Sequence, residues 1–301
     1  MHLTALHFPT LPRRVLTLAL GVLVLLGVAA APVAAVEPLD ARDPKPTAPA
    51  PPPPAPSVAP TPAPAPGPVG FDISWPQCER TLPVPLAFSV VGVNGGRVHS
   101  PNPCLVAAGG TGQLEWAGQS VELYANTGNP GPELSSFWPH GQTTPRECNT
   151  ATTPGADTAD CAYVYGWNAA ADSYKRALDA FIELGWAAPD ATRVPGERTW
   201  WLDVETANSW RGDRSLNVAA LQGAVDYLES VSAEVGFYST PLLWWEVTGS
   251  TKAFAEYPSW HAGARDRADA EDRCDEEAFT GGELRMVQWV ENDLDLNYRC
   301  P

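Results

Sequence analysis

Between Pro44 and Pro68 about every second residue is proline, and alanine is the commonest of the others. Proline fixes φ and removes a backbone donor, so this stretch can neither join a sheet interior nor run on as a helix. It favours extended polyproline II, about 3.1 Å per residue, so a linker over residues 36–69 could reach up to roughly 100 Å. Folding is thereby confined to what lies on either side. Upstream, Arg13 and Arg14 precede the apolar run 15–31, and Ala34 and Ala35 are small residues suited to cleavage. That is the pattern of an export signal over residues 1–35. The apolar run is long for a signal and borderline for a spanning helix, so an uncleaved membrane anchor at residues 15–31 stays open. In both cases the remainder is expected outside the cytoplasm, secreted or tethered to the outer face of the membrane within the cell envelope. Residues 70–301 are left to build one domain, a length that single α/β barrels reach.

All six cysteines fall in that part: Cys78, Cys104, Cys148, Cys161, Cys274 and Cys300. An even number in an exported chain points to disulfides, and six cysteines admit about fifteen pairings. Pairing of sequence neighbours is expected: Cys78 with Cys104, Cys148 with Cys161, Cys274 with Cys300. Each closed loop would contribute about 3 kcal/mol. With no Cys-x-x-Cys, zinc and thiol redox chemistry are not expected. The chain carries 19 basic and 35 acidic residues, a formal charge of −16. That balance argues against nucleic acid, which rewards clustered Lys and Arg, and against attraction to anionic surfaces. A glycan held by short-range contacts remains compatible with it.

Short β-prone runs at 70–74, 87–93, 121–125, 199–204, 235–239 and 284–290 alternate with helical patterns at 168–186 and 216–230. Four or five βα repeats followed by a mostly β tail predict an α/β protein, an irregular TIM-like (β/α) barrel in a single domain. No Gly-x-Gly-x-x-Gly follows an early strand, so a dinucleotide site has no support, and no cofactor is expected.

Trp201-Leu202-Asp203-Val204-Glu205 places two carboxylates two residues apart beside a strand-like apolar run. Alternate residues of a strand share a face, so Asp203 and Glu205 are expected to project together. Paired acids are what glycosidic bond cleavage commonly uses. Asp72, in Gly70-Phe71-Asp72-Ile73-Ser74-Trp75-Pro76-Gln77, and Asp295, in Asp293-Leu294-Asp295-Leu296-Asn297, also read as lying at strand C-terminal ends. In a barrel such ends line the active face.

These motifs carry a resemblance. Gly-Phe-Asp-Ile-Ser-x-x-Gln, Leu202-Asp203-Val204-Glu205, Gln288-Trp289 and Asp295-Leu296-Asn297 resemble, in order and spacing, the strands of glycoside hydrolase family 25, the N-acetylmuramidase (lysozyme) family. The segments 91–96, 163–168 and 201–205 resemble still more a related secreted bacterial glycoside-hydrolase-like domain of unknown function. The resemblance implies Glu205 as general acid, Asp203 as the group that orients the substrate's acetamido group or stabilises positive charge at the ring, and Asp72 and Asp295 flanking them. It departs in Asn94-Gly95-Gly96, where a Lys-containing segment is usual, in Leu123-Tyr124-Ala125-Asn126 in place of Tyr-His-Phe, and in the Cys-bearing insert 129–161. Those departures bear on substrate more than on chemistry.

All twelve tryptophans lie in the folded part. Trp75, Trp201, Trp210 and Trp289, with Tyr238 and Gln288, are the expected substrate contacts, indole faces being suited to the C–H faces of sugars. Most of the other tryptophans are expected in the core. His99, His140 and His261 are isolated, so no metal is expected, and no Gly-x-Ser-x-Gly elbow is present. The expected function is a secreted hydrolase of peptidoglycan or a related N-acetylated wall glycan. The alternatives are a wall-glycan-binding or structural module without catalysis, and a hydrolase of another polysaccharide.

Overall fold

The computed structural model describes residues 69–106, 112–148, 154–191 and 194–301. The expected signal or anchor of residues 1–35, and the linker up to residue 68, lie outside the described residues. Among those described, no helix is long and apolar enough to cross a membrane.

Eight strands close into one barrel in chain order: β1 (Val69–Ile73), β2 (Phe88–Gly92), β3 (Glu122–Asn126), β4 (Thr199–Asp203), β5 (Glu234–Ser239), β6 (Ser259–Ala264), β7 (Leu284–Glu291) and β8 (Leu294–Arg299). Among the described residues five α-helices, α1 (Gln113–Ala117), α2 (Ala159–Glu183), α3 (Arg214–Ser230), α4 (Pro241–Thr248) and α5 (Arg267–Asp272), follow β2 to β6 in turn. The α/β barrel expected from the alternation is therefore what forms, with one departure. β1 to β7 pair in parallel, but β8 runs antiparallel to both β7 and β1. The cause is local. Asn292 and Asp293 between β7 and β8 have φ of 54° and 57°, the signature of a tight hairpin turn whose twist suits the flanking strands. Two residues leave no room for a crossover helix.

Alternation sorts each strand into two layers. On β4, Trp200 and Leu202 join the core between barrel and helices, while Trp201 turns inward with Val90, Trp260 and Met286. Below, Glu122 accepts a hydrogen bond from Trp201 Nε1 (2.8 Å) and pairs with Arg299, whose guanidinium lies 4.2 Å from the Phe88 ring centre. This plug ties β3, β4 and β8 across the barrel floor.

The helix expected at 168–186 begins at Ala159, capped by the Thr158 side chain, which accepts from Cys161 N. The run Tyr163–Asn168 is thus helical, and its glycine has a packing reason. A Cβ on Gly166 would lie 1.8 Å from Ala220 O, and one on Gly223 1.9 Å from Tyr163 O, so α2 and α3 touch backbone to backbone. All three disulfides pair sequence neighbours, Cys78–Cys104, Cys148–Cys161 and Cys274–Cys300.

Candidate active site

The C-terminal ends of parallel strands share one rim. Asp72 on β1 and Asp203 on β4 turn inward there, because Ile73, Leu202 and Val204 beside them are taken up by the core under the helices. Glu205 lies two residues past β4, half-buried, in the loop to α3. Its backbone carbonyl accepts Trp210 Nε1 at 2.8 Å and Asn208 N at 3.1 Å, which fixes the loop from behind. Asp295 arrives by a different route from the one expected. It sits near the start of β8, not at a strand's C-terminal end. Because β8 is antiparallel, its start reaches the same rim, and Asp295 is the register partner of Asp72.

The four acids line one open pocket of about 270 Å³, near the lower end of small-ligand sites. Trp75, Tyr238 and Gln288 line it as well. Trp75 is 48% exposed, and its indole lies against Gly96, where a Cβ would come within 2.4 Å of Trp75 Nε1. Gly96 also has φ +78°, so a side chain there is doubly excluded. The other three expected contacts lie elsewhere. Trp201 is fully buried beneath the pocket, packed edge-on against Trp260 at 5.7 Å. Trp210 turns its ring toward the helix-side core, and Trp289 is buried with Ala264, Leu284 and Val287. Their neighbours on the strand explain this: β4 alternation sends Trp201 to the barrel interior, and β7 alternation sends Trp289 out.

Asn126, Tyr124 and Trp260 also line this pocket, and Asn297 supports it from behind, although none is among the expected contacts. Asn126 Nδ2 donates to Asp203 Oδ2 at 2.5 Å, and Asn126 N donates to Asn94 Oδ1 at 2.9 Å, itself held by Ser173 at 3.2 Å. Asn297 Nδ2 donates to Asp72 Oδ2 at 2.6 Å, beside Gln288 Nε2 at 3.0 Å, and Gln288 Oε1 accepts from Tyr238 OH at 2.9 Å. Tyr124 and Trp260 complete the walls. Strand register carries the missing signal: Tyr124 pairs with Trp201, Asn126 with Asp203, and Tyr238 with Trp260.

Burial and like charge both oppose ionisation here. Asp72 is pushed up to about 7, first by burial and then by Asp295, against the pull of Asn297 and Gln288. Asp203 is pushed well above the carboxylate range by burial, then Glu205, and Asn126 opposes this only in part. Its Oδ1 is buried without a hydrogen-bond partner. Glu205 is raised by burial and by Asp295, and Asp295 by burial, with Arg80 opposing. The protons therefore belong to the set. His99 and His261 lie outside this pocket, and burial lowers both, His261 to about 4. Among the described residues, no group of His, Cys, Asp and Glu is disposed to hold a metal ion.

Residues 190–280, which contain Asp203 and Glu205, match the family model described as Lysozyme-like protein 1. A probable GH family 25 lysozyme 4 of Dictyostelium discoideum is 39% identical over 62 residues, covering 21% of this chain and 29% of that protein. A probable GH family 25 lysozyme 3 of the same organism is 34% identical over 65 residues, covering 21% and 14%. The match thus spans less than a third of the length of these relatives. Among solved structures, a muramidase from Trichobolus zukalii aligns at a TM-score of 0.44 and 18% identity, covering 77% of this chain and 92% of that one. Over residues 190–280, then, this chain is similar to lysozyme-like proteins, and stretches of 62 and 65 residues are similar to probable glycoside hydrolase family 25 lysozymes.

Proposed function

We propose that the domain hydrolyses peptidoglycan or a closely related N-acetylated wall glycan outside the cytoplasm, with the carboxylates at the barrel mouth doing the chemistry. Glu205 is the general acid: with Asp295 it is one of the two half-exposed members of the set, it stands two residues from Asp203, and its raised proton affinity keeps a donor available at higher pH than an ordinary glutamate would. Asp203 sits beneath it to hold the substrate's acetamido group or to balance positive charge at the sugar ring. Asp72 and Asp295 set the field around both. The observation that carries this reading is the convergence of four acids, drawn from three strands and a loop far apart in the sequence, on one open pocket. A glycan-binding module has no need to gather charges that repel one another at a cost in stability.

Turnover decides it. The chain is incubated with purified peptidoglycan and new reducing ends are measured across pH 4–7. Release is expected, and Glu205→Gln should lower it by about 10²–10⁴-fold, the usual contribution of a positioned acid. Binding without release would establish the non-catalytic module instead, and equal cleavage by both proteins would remove Glu205 from its role.

A further inference from the structure

Beside the acid pocket a second hollow of about 370 Å³ opens on the same rim, and the two share Ala207 and Asn208 as a common wall. It is built by the loops after β2, β3 and β4, and its far side is the insert that departs from the family pattern. Two features distinguish it. Phe137 is 57% exposed, yet its ring is held flat by a stack on His99 at 4.2 Å, and Tyr165 meets His99 edge-on at 5.6 Å. Its backbone N donates to Ser135 Oγ at 3.1 Å. The ring is thus an exposed apolar plate with its orientation fixed in advance. The second feature is Arg97, the one charged residue among those lining this hollow. Its loop is closed by hydrogen bonds from Gly95 N to Ser100 O (3.1 Å) and from Arg97 N to Ser100 Oγ (3.2 Å). Among the described residues, every other Arg or Lys head group has a carboxylate, carbonyl or aromatic ring against it, whereas Arg97 has none. In a chain with 35 acidic residues, an unpaired guanidinium beside a cluster of four carboxyls is placed for an anion that those carboxyls would repel.

We propose that this hollow is a second glycan subsite, in which a carboxylate-bearing sugar unit lays its ring on Phe137 and its carboxylate on Arg97. The inference rests on the peptidoglycan reading above and extends it: Arg97 from the loop after β2 and Phe137 from the insert together select an acid-bearing strand over a neutral one and fix which way it runs past the acids. The carboxylate is either the lactyl group of the sugar itself or belongs to a peptide attached to it. Guanidinium–carboxylate pairs are charge-assisted and often bidentate, so losing one is worth about tenfold or more in affinity.

The test uses the full chain carrying Glu205→Gln, so that ligands persist, and calorimetric titration with three probes. These are a peptide-free tetrasaccharide of alternating N-acetylglucosamine and N-acetylmuramic acid, the same tetrasaccharide bearing stem peptides, and chitotetraose as the uncharged counterpart. Arg97→Gln should weaken an acid-bearing probe about tenfold and leave chitotetraose unchanged, Arg97→Lys should restore part of the loss, and Phe137→Ala should weaken all the probes. An Arg97 effect on the peptide-free probe assigns the lactyl carboxylate, and one confined to the peptide-bearing probe assigns the peptide. If Arg97→Gln and Phe137→Ala both bind every probe as the parent does, the subsite is wrong while the peptidoglycan reading stands. If the parent binds none of the three, that reading itself fails.

Discussion

Two causes of different kinds raise the proton affinity of Glu205, burial in the surrounding protein and the charge of Asp295. Only the second can be removed without reshaping the pocket. Asp295→Asn takes away the repulsion, so Glu205 should ionise at lower pH and the alkaline limb of the pH–rate profile should move to more acidic values. A profile that keeps its position would mean that burial alone sets the donor. Asp72 offers a complementary case, because both its donors, Asn297 and Gln288, favour its charged form. The acids themselves were legible in the sequence, since short motifs such as Asp-x-Glu announce carboxylates. Asn126 and Asn297 were printed in the same motifs, yet their roles depend on which strand lies alongside, and that information is absent from a linear pattern. Trp201 shows the converse: it adjoins the acid pair in sequence, and alternation places it under the pocket as packing.

The elements that hold these residues were read from two periodicities, and the reading succeeded where periodicity was strong. β4 and α3 came within two residues of their observed ends. β6 escaped because Ser-Trp-His-Ala-Gly-Ala has neither β-branched residues nor clean alternation. The first turns of α2 escaped because glycine and three aromatics interrupt its helical pattern, and their reason is the neighbour α3. That contact leads to a prediction: Gly166→Ala puts a methyl group into the Ala220 carbonyl and should destabilise the domain by about 1–3 kcal/mol, as overpacking does. The midpoint of denaturant unfolding measures it, and an unchanged midpoint would mean that the helices separate without penalty. β8 carries a further consequence. Cys274–Cys300 anchors the strand that bears Asp295, whereas Cys148–Cys161 staples the insert. Replacing Cys274 and Cys300 by alanine should therefore lower turnover more than replacing Cys148 and Cys161, at comparable losses of stability, and equal turnover losses would contradict the assignment of Asp295 to the site.

Across the whole molecule, raised carboxyl pKa values link stability to pH in a definite direction. A group that binds its proton more tightly folded than unfolded stabilises the fold most where it is protonated, and that contribution is lost as pH rises through the folded value. For Asp72 the window runs from about 4 to about 7, and within it each pH unit costs up to about 1.4 kcal/mol. Thermal unfolding should therefore show declining stability from pH 4 to pH 7.5. Asp72→Asn should be the more stable protein at pH 7.5 and should converge with the parent near pH 4; a constant gap would indicate a packing effect and no titration. The closing hairpin has one more outcome. Asp72 stands at the start of the domain and Asp295 a few residues before its end, so the two meet only when the final strand seals the seam with the first. A chain interrupted anywhere upstream of residue 294 lacks the strand that carries Asp295 to Asp72, and so cannot assemble the full quartet of acids.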